Sequence, residues 1–186
     1  MKVSREQVAA NRDQIVATAA ALFRERGFDD VSVAEVMQGA GLTHGAFYGY
    51  FPSKDALAAE AAAHAMGESI ERWQSLLDDG SLGLTALVDR YLSPLHRDRP
   101  AAGCAIAAVG SEVRRQDAAT RKAFAAGMMN EVDLLASYLP GRPEERRRKA
   151  IAIVAQLVGG MIMARAAGKT ALSEEILAAV HHRILS

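Results

Sequence analysis

Apolar residues recur along this chain at intervals of three and four, and no stretch alternates apolar and polar positions over the length of a strand. That is the helical period, so the pattern predicts helices throughout. Val8, Ile15, Ala19, Leu22 and Phe23 fall on one stripe, giving a first helix over about 5–26 that Gly27 ends. Ser32 and Glu35 make a capping box, with Val31 and Val36 at the hydrophobic-staple positions, and start a short helix that lasts to about Ala40. Gly39 and Gly41 bracket a tight turn. Thr43 then caps a second short helix to about Tyr50, which Phe51 and Pro52 stop. Ser53 is a good N-cap for a long helix over about 54–78, closed by Asp78, Asp79, Gly80 and Ser81. Further helices are expected over about 82–97, 103–115, 118–139, 144–167 and 174–185. Arg99-Pro100, Gln116-Asp117, Pro140-Gly141-Arg142-Pro143, and Gly168 with Ser173 separate them. The fold class is all-α, about nine helices.

The pair of short helices within 32–50 carries the most information. Two helices of about two turns, joined by a turn containing glycine, describe a helix-turn-helix. Helices that short persist only if they pack on each other and on a neighbour. Val33, Val36, Met37, Leu42, Phe47 and Phe51 supply that packing, with Leu22 and Phe23 of the first helix. The outer face of the second helix is then small or hydrogen-bonding: Thr43, His44, Gly45, Ala46, Tyr48, Gly49 and Tyr50. Small residues let a helix backbone sit deep in a major groove. Threonine and tyrosine hydroxyls can bond phosphate oxygens, and Lys54 adds a cation at the next helix start. The competing reading is a helical hairpin inside a larger bundle, with the tyrosines half-buried. Residues 1–52 are therefore read as a three-helix DNA-binding head and 53–186 as a helical body.

Charge sets a condition on that reading. Twenty-two basic and twenty-two acidic side chains cancel over 186 residues. Residues 1–55 hold six basic and seven acidic groups, a net of −1. A neutral chain is no general polyanion binder, so DNA contact must come from geometry, with Lys2, Arg5 and Lys54 turned towards the duplex. The one cysteine, Cys104, allows no intramolecular disulfide, which suits a reducing cytoplasm, and the first residues lack the apolar core of a secretory signal. Residues 150–164 are apolar except Gln156, follow Arg146, Arg147, Arg148 and Lys149, and end at Arg165. That run falls short of the roughly 20 residues of a span, so a buried or interface helix is expected and no membrane partner.

Several motifs are shared with one known group. Ile15–Ala19, Leu22-Phe23, Gly27-Phe28, Ser32-Val33-Ala34-Glu35-Val36, Ala40-Gly41-Leu42-Thr43, Gly45-Ala46-Phe47-Tyr48-Gly49-Tyr50-Phe51 and Ser53-Lys54-Asp55-Ala56-Leu57 stand in consistent order. In them the chain resembles the TetR/AcrR family of regulators. The resemblance implies an all-helical homodimer, usually a repressor, that binds double-stranded operator DNA as an inverted repeat and is released by a small-molecule inducer. It further implies that Ser32 and Thr43 are N-caps and phosphate contacts, that His44 and Gly45 face base edges, and that Tyr48, Tyr50 and Lys54 anchor the DNA backbone. Gly49 departs from the pattern, since many members carry histidine or another larger residue there. Gly103-Cys104, followed by Ala105-Ile106-Ala107-Ala108 and Ser111-Glu112-Val113, is similar to a subgroup, and such a Gly-Cys pair also occurs in members that sense electrophiles or oxidants.

An inducer pocket must then be lined from the body. Trp73, Tyr91, Leu95, Cys104, Phe124, Met128 and Met129 are the candidates, because aromatic and methionine side chains suit an adaptable apolar cavity. Ordinary core packing is the alternative for each. With no charged anchor evident, an apolar or covalent inducer is expected. Cys104 has two readings: a thiol activated in the first turn of a helix near Arg97 and Arg99, or a small buried hydrophobe. Ile151, Val154, Val158 and Ile162, with Ile176, Val180 and Ile184, make two stripes that the resemblance assigns to a dimer face, Gly159-Gly160 permitting close approach; an internal core pair is the alternative. His44, His64 and His96 are scattered and His181-His182 point to different faces, so no metal site and no cofactor are expected. No nucleophile, base and orienter converge in the sequence, which argues against an enzyme. A helical ligand carrier, a thiol-dependent enzyme centred on Cys104, and a purely structural dimer remain as rivals.

Overall fold

Ser4, Ser32, Ser53, Asp117 and Thr170 each turn a side-chain oxygen onto a backbone N–H two or three residues on, and each opens a helix. The resulting computed structural model describes residues 4–78 and 83–186. The helices are α1 (Arg5–Arg26), α2 (Val33–Gly39), α3 (Lys54–Leu77), α4 (Gly83–Tyr91), α5 (Pro94–Asp98), α6 (Ala105–Val109), α7 (Ala118–Tyr138), α8 (Pro143–Ala166) and α9 (Ala171–Leu185). Short 3-10 turns cover His44–Gly49, Pro100–Ala102 and Val113–Arg115. No strand occurs among the described residues. The expected helix start at Leu82, the closing residues Asp79, Gly80 and Ser81, and Lys2 lie outside those residues.

The capping box at Ser32 closes as the sequence predicts. Glu35 N donates to Ser32 Oγ at 3.2 Å, and Glu35 Oε2 accepts from Ser32 N at 2.8 Å. Those bonds, with Arg26, pull the Glu35 carboxyl down to about 2. Gly27, at φ +90°, carries the chain out of α1 in a region that disfavours a side chain. Two expected helices are broken. The one over 82–97 stops at Tyr91 because Pro94 lacks an N–H and restricts Ser93, whose hydroxyl caps His96 N at 3.2 Å. The one over 103–115 ends at Val109. There Gly110, a poor helix former, follows, and Glu112 is drawn across to accept from Phe28 N at 3.0 Å.

Two cores result. The first gathers Ile15, Phe23, Phe28, Val36, Met37, Phe47, Phe51 and the first half of α3, and reaches Phe124 of α7. The second holds Trp73, Leu87, Tyr91, Leu135, Leu157, Met161 and Leu177. α3 and α7 cross from one to the other at very close range. A Cβ on Gly127 would stand 2.5 Å from Met66 Cβ. α8 is long and apolar enough by composition to cross a membrane, yet it lies against α7 and α9 with Val154, Leu157, Met161 and Ala164 buried.

The close approach makes a prediction. Gly127→Ala should cost about 1–3 kcal/mol of stability, since Met66 Cβ and Cγ cannot retreat. Gly67→Ala, on the exposed face of α3 with nothing within 4 Å, should instead gain up to about 1 kcal/mol. Urea denaturation of both variants reads the difference.

Candidate nucleic-acid face and effector cavity

Phe47 and Phe51 fix the outward face of the helix-turn-helix from below. Both are 1% exposed and stacked with centroids 5.8 Å apart, over Val36 and Met37. Their burial turns Thr43, His44, Gly45, Tyr48 and Gly49 outward. Tyr48 is 74% exposed, and a Cβ built on Gly45 or Gly49 would meet nothing within 4 Å. A backbone this bare can approach a polymer surface closely.

Four sequence expectations need correction here. The second helix is a 3-10 turn, because six residues holding two glycines give too little helical preference for a full α-helix. Thr43 holds the N-cap position but makes no side-chain cap bond, so its hydroxyl is free. Ser32 caps α2, but its hydroxyl donates to Glu35 Oε2 at 2.7 Å and has no proton left for a phosphate while the box is closed. Tyr50 is half-buried, not outward like Tyr48. Its hydroxyl accepts from Asn11 Nδ2 at 2.9 Å, which leaves its own proton to donate. Asn11 in turn accepts from Gln7 Nε2 at 2.8 Å. The sequence reading passed over this polar line, though i,i+4 spacing on α1 hinted at it.

Head charge is sorted by pairing. Arg12 binds Glu60 and lies 4.7 Å over the Phe51 ring, Arg24 binds Glu68, and Arg26 binds Glu35. Among the described cations of the head, Arg5 and Lys54 have no ion pair.

The body encloses a cavity of about 560 Å³. Trp73, Tyr91, Leu95 and Cys104 line it as expected, joined by Leu76 and Leu87. Phe124 and Met128 do not. Phe124 is buried in the first core, edge-on to Phe28 at 6.4 Å. Met128 and Met129 stand on the solvent face of α7, about 100° per residue round from the inward Gly127 and Glu131. Arg72, Arg90, Arg99, Glu71 and His96 also line the cavity, so the expectation of a cavity without charged groups is wrong. These three arginines, on two helices and a loop, show no local pattern that reveals their convergence.

At the inner wall, Cys104 N donates to His96 Nε2 at 2.9 Å, and His96 Nδ1 lies 2.7 Å from Tyr91 O. Nε2 must accept, so the proton sits on Nδ1 and the ring is neutral. Burial above all, and Arg165, Arg90 and Arg72 nearby, bring its pKa down to about 4. Cys104 is buried, and burial, then the nearby Glu131, push its thiol up to about 11. α6 has only five residues, too short for a strong helix-end field. Its burial and the short helix after it favour the buried-hydrophobe reading of Cys104 over the activated-thiol one. Behind it, Glu131 is fully buried with neither carboxylate oxygen partnered. Burial raises it to about 7, against smaller opposing pulls from Ser69 and Arg72. No cluster of metal-binding side chains occurs among the described residues.

The sequence profile of bacterial regulatory proteins of the tetR family matches residues 15–61. Over 163 residues the chain is 34% identical to an uncharacterised HTH-type transcriptional regulator of Mycobacterium tuberculosis (strain H37Rv), covering 83% of this chain and 84% of that protein. The chain belongs to the TetR family. It is a transcriptional regulator by that membership, and its relatives are regulators rather than enzymes. The HTH-type transcriptional repressor KstR2 of Mycolicibacterium smegmatis is 28% identical over 87 residues, 47% of this chain and 42% of that protein. The fold matches the reduced form of Escherichia coli NemR with a TM-score of 0.77 at 22% identity, over 92% of this chain and 95% of that one. A TetR regulator from Chloroflexus aurantiacus matches with a TM-score of 0.79 at 22% identity, over 97% of both chains.

The last two helices of this TetR-family chain divide their apolar residues. Ile151 and Ile162 are exposed on α8, with Met163 beside them, and a Cβ on Gly159 would meet nothing. Val154 is turned inward to the second core, and Val180 packs on Gly160 of the same chain, so these two serve the internal pair rather than an outer face. Val158, Ile176 and Ile184 are half-buried at the seam.

The inner wall predicts an unusual pH response. Glu131 is raised from 4.5, so its contribution is present below about pH 4.5 and lost as pH rises through about 7. His96 is lowered from 6.5, so its contribution is present above about pH 6.5 and lost as pH falls through about 4. The two nearly cancel in between. Glu131→Gln should uncover the histidine slope and raise stability at about pH 8 by on the order of 2 kcal/mol. Thermal melts from acid to mildly basic buffer test both statements.

Proposed function

We propose that this regulator is a homodimeric, ligand-responsive repressor of the cytoplasm that binds an inverted-repeat operator and leaves it when a small molecule fills the body cavity. The observation that carries the reading is the outward face of the 3-10 turn: Tyr48 exposed, Gly45 and Gly49 bare, Phe47 and Phe51 locked beneath. Gly45 and His44 meet base edges, Thr43, Tyr48, Tyr50 and Lys54 meet phosphates, and Ser32 serves α2 alone. One such face per subunit reads one half-site.

The route from cavity to head supports the ligand response. Gly103 and Cys104 line the cavity, and the chain on either side is tied to α1. Arg24 Nε donates to Ala101 O at 2.7 Å, and Glu112 accepts from Phe28 N at 3.0 Å. A ligand that displaces residues 99–104 thus pulls on the head at two points. The inducer binds reversibly, since the buried, high-pKa Cys104 suits neither an electrophile nor an oxidant. The exposed stripe of Ile151, Ile162 and Met163, with the flanking half-buried residues of α9, pairs with its copy in a four-helix contact.

Selection from a random duplex pool should recover an inverted repeat. Tyr48→Phe and Lys54→Ala should weaken every recovered site, and Lys54→Ala should reduce the slope of log affinity against log salt by about 1. Absence of any enriched duplex over a range of salt would overturn the DNA-binding reading; unchanged slopes would overturn the contact assignment.

A further inference from the structure

Most of the charged side chains that line the cavity are cationic. Arg72 of α3, Arg90 of α4 and Arg99 beyond α5 line it against a single acid, Glu71. Among the described residues Arg90 and Arg99 are in no ion pair, and Arg72 reaches only Glu68, at 3.9 Å. A fourth guanidinium closes on the same wall from α8. Arg165 Nη2 lies 3.0 Å from where a Cβ on Gly103 would stand and donates to His96 O at 3.1 Å, while Arg165 Nη1 is buried with no partner. The neighbouring imidazole adds no charge, because Nε2 is occupied by the Cys104 N–H. Apolar residues share the lining with Arg72, Arg90 and Arg99: Trp73, Leu76, Leu87 and Leu95, with Leu76 one turn from Arg72 on α3 and Leu87 one turn from Arg90 on α4.

Arg72, Arg90 and Arg99 are exposed like charges on one lining and repel one another, and Arg165 beside them keeps a buried, unfilled donor. An anion relieves both, and carboxylate is the group their planar fork matches. A cation would have to pass the same charges. A volume of about 560 Å³ is of drug-ligand size.

We propose that the cavity takes a small amphiphilic acid, its anionic head held by Arg90 and Arg99 and its apolar body laid against Trp73, Leu76 and Leu87. This rests on the reading of the cavity as the effector site. It makes the effector class an organic acid rather than an apolar, cationic or thiol-reactive compound.

Calorimetry on the full chain with matched probes tests it. Decanoate and 4-phenylbutyrate are each compared with the alcohol and the trimethylammonium of the same body, all below micelle-forming concentration. The acids should bind at least about ten-fold tighter than the alcohols, a difference near 1.4 kcal/mol, and the cations weakest. Arg90→Glu/Arg99→Glu should invert the order of acid and cation, a gain that mere unfolding cannot produce. Failure of both acids to bind, equal binding of acid and alcohol, or an unchanged order in the double variant would overturn the proposal. Anisotropy of a labelled selected duplex runs in parallel. Acid binding with the duplex retained upholds the ligand class and removes the inducer role. A duplex bound while neither acid binds removes the ligand class and leaves the DNA-binding reading intact.

Discussion

The contact of α3 with α7 is the constraint on which the two halves of this chain depend, because both helices run from the first core into the second. α3 gives Leu57, Ala61 and Met66 to the first core and Trp73 and Leu77 to the other; α7 gives Phe124 to the first and Val132 and Leu135 to the other. Gly127 sets their separation against Met66. The head is therefore not a bead on a linker. Its aromatic packing continues through Phe28 to Phe124, so the outward 3-10 turn inherits its orientation from body packing.

That same packing explains the polar strain of the inner wall. Bringing α7 so close to α3 buries Glu131 near Ser69 and Cys104, where neither of its oxygens gains a well-formed hydrogen bond. A buried carboxyl without partners costs stability whenever it ionises. The chain tolerates it beside a histidine that burial keeps neutral. Residues retained at such cost, next to a hollow, mark a place shaped for something other than stability.

Much of the fold was legible because its signals are local. Capping at Ser32 and Ser53, the stop at Gly27 and the long apolar periods of α1, α3, α7 and α8 each act within a few residues, and the structure follows them. The breaks at Pro94 and Gly110 carried local signals too, but the apolar period ran through them and hid them. The site was less legible. Tyr48 and Tyr50 look alike in sequence, and only the tertiary contact of Asn11 separates an outward tyrosine from a held one. Phe124 and Met128 suit a pocket by residue type, but rotation about α7 sends one to the core and the other to solvent. The guanidiniums of Arg72, Arg90, Arg99 and Arg165 are spread over nearly a hundred residues, and no periodicity announces that they meet.

Their meeting point is joined by hydrogen bonds to several other parts of the chain. His96 ties the backbone of Cys104 to that of Tyr91, and Arg165 ties His96 and Arg97 carbonyls to α8. Arg24 ties Ala101 to α1, and Glu112 ties α6's exit to Phe28. The segment from 96 to 112 is thus hydrogen-bonded at one end to the cavity wall and at the other to the head. On the proposed ligand response, a charge brought to Arg90, Arg99 or Arg165 would act on the first set of bonds, and the second set would carry the displacement onward. Such a link biases the head only if the segment has two packed positions of similar energy, because a tightly packed interface switches rather than bends. The 3-10 turns at Pro100–Ala102 and Val113–Arg115, with the five-residue α6 between them, make this the stretch of the body least tied by regular helix and the one best suited to hold two positions.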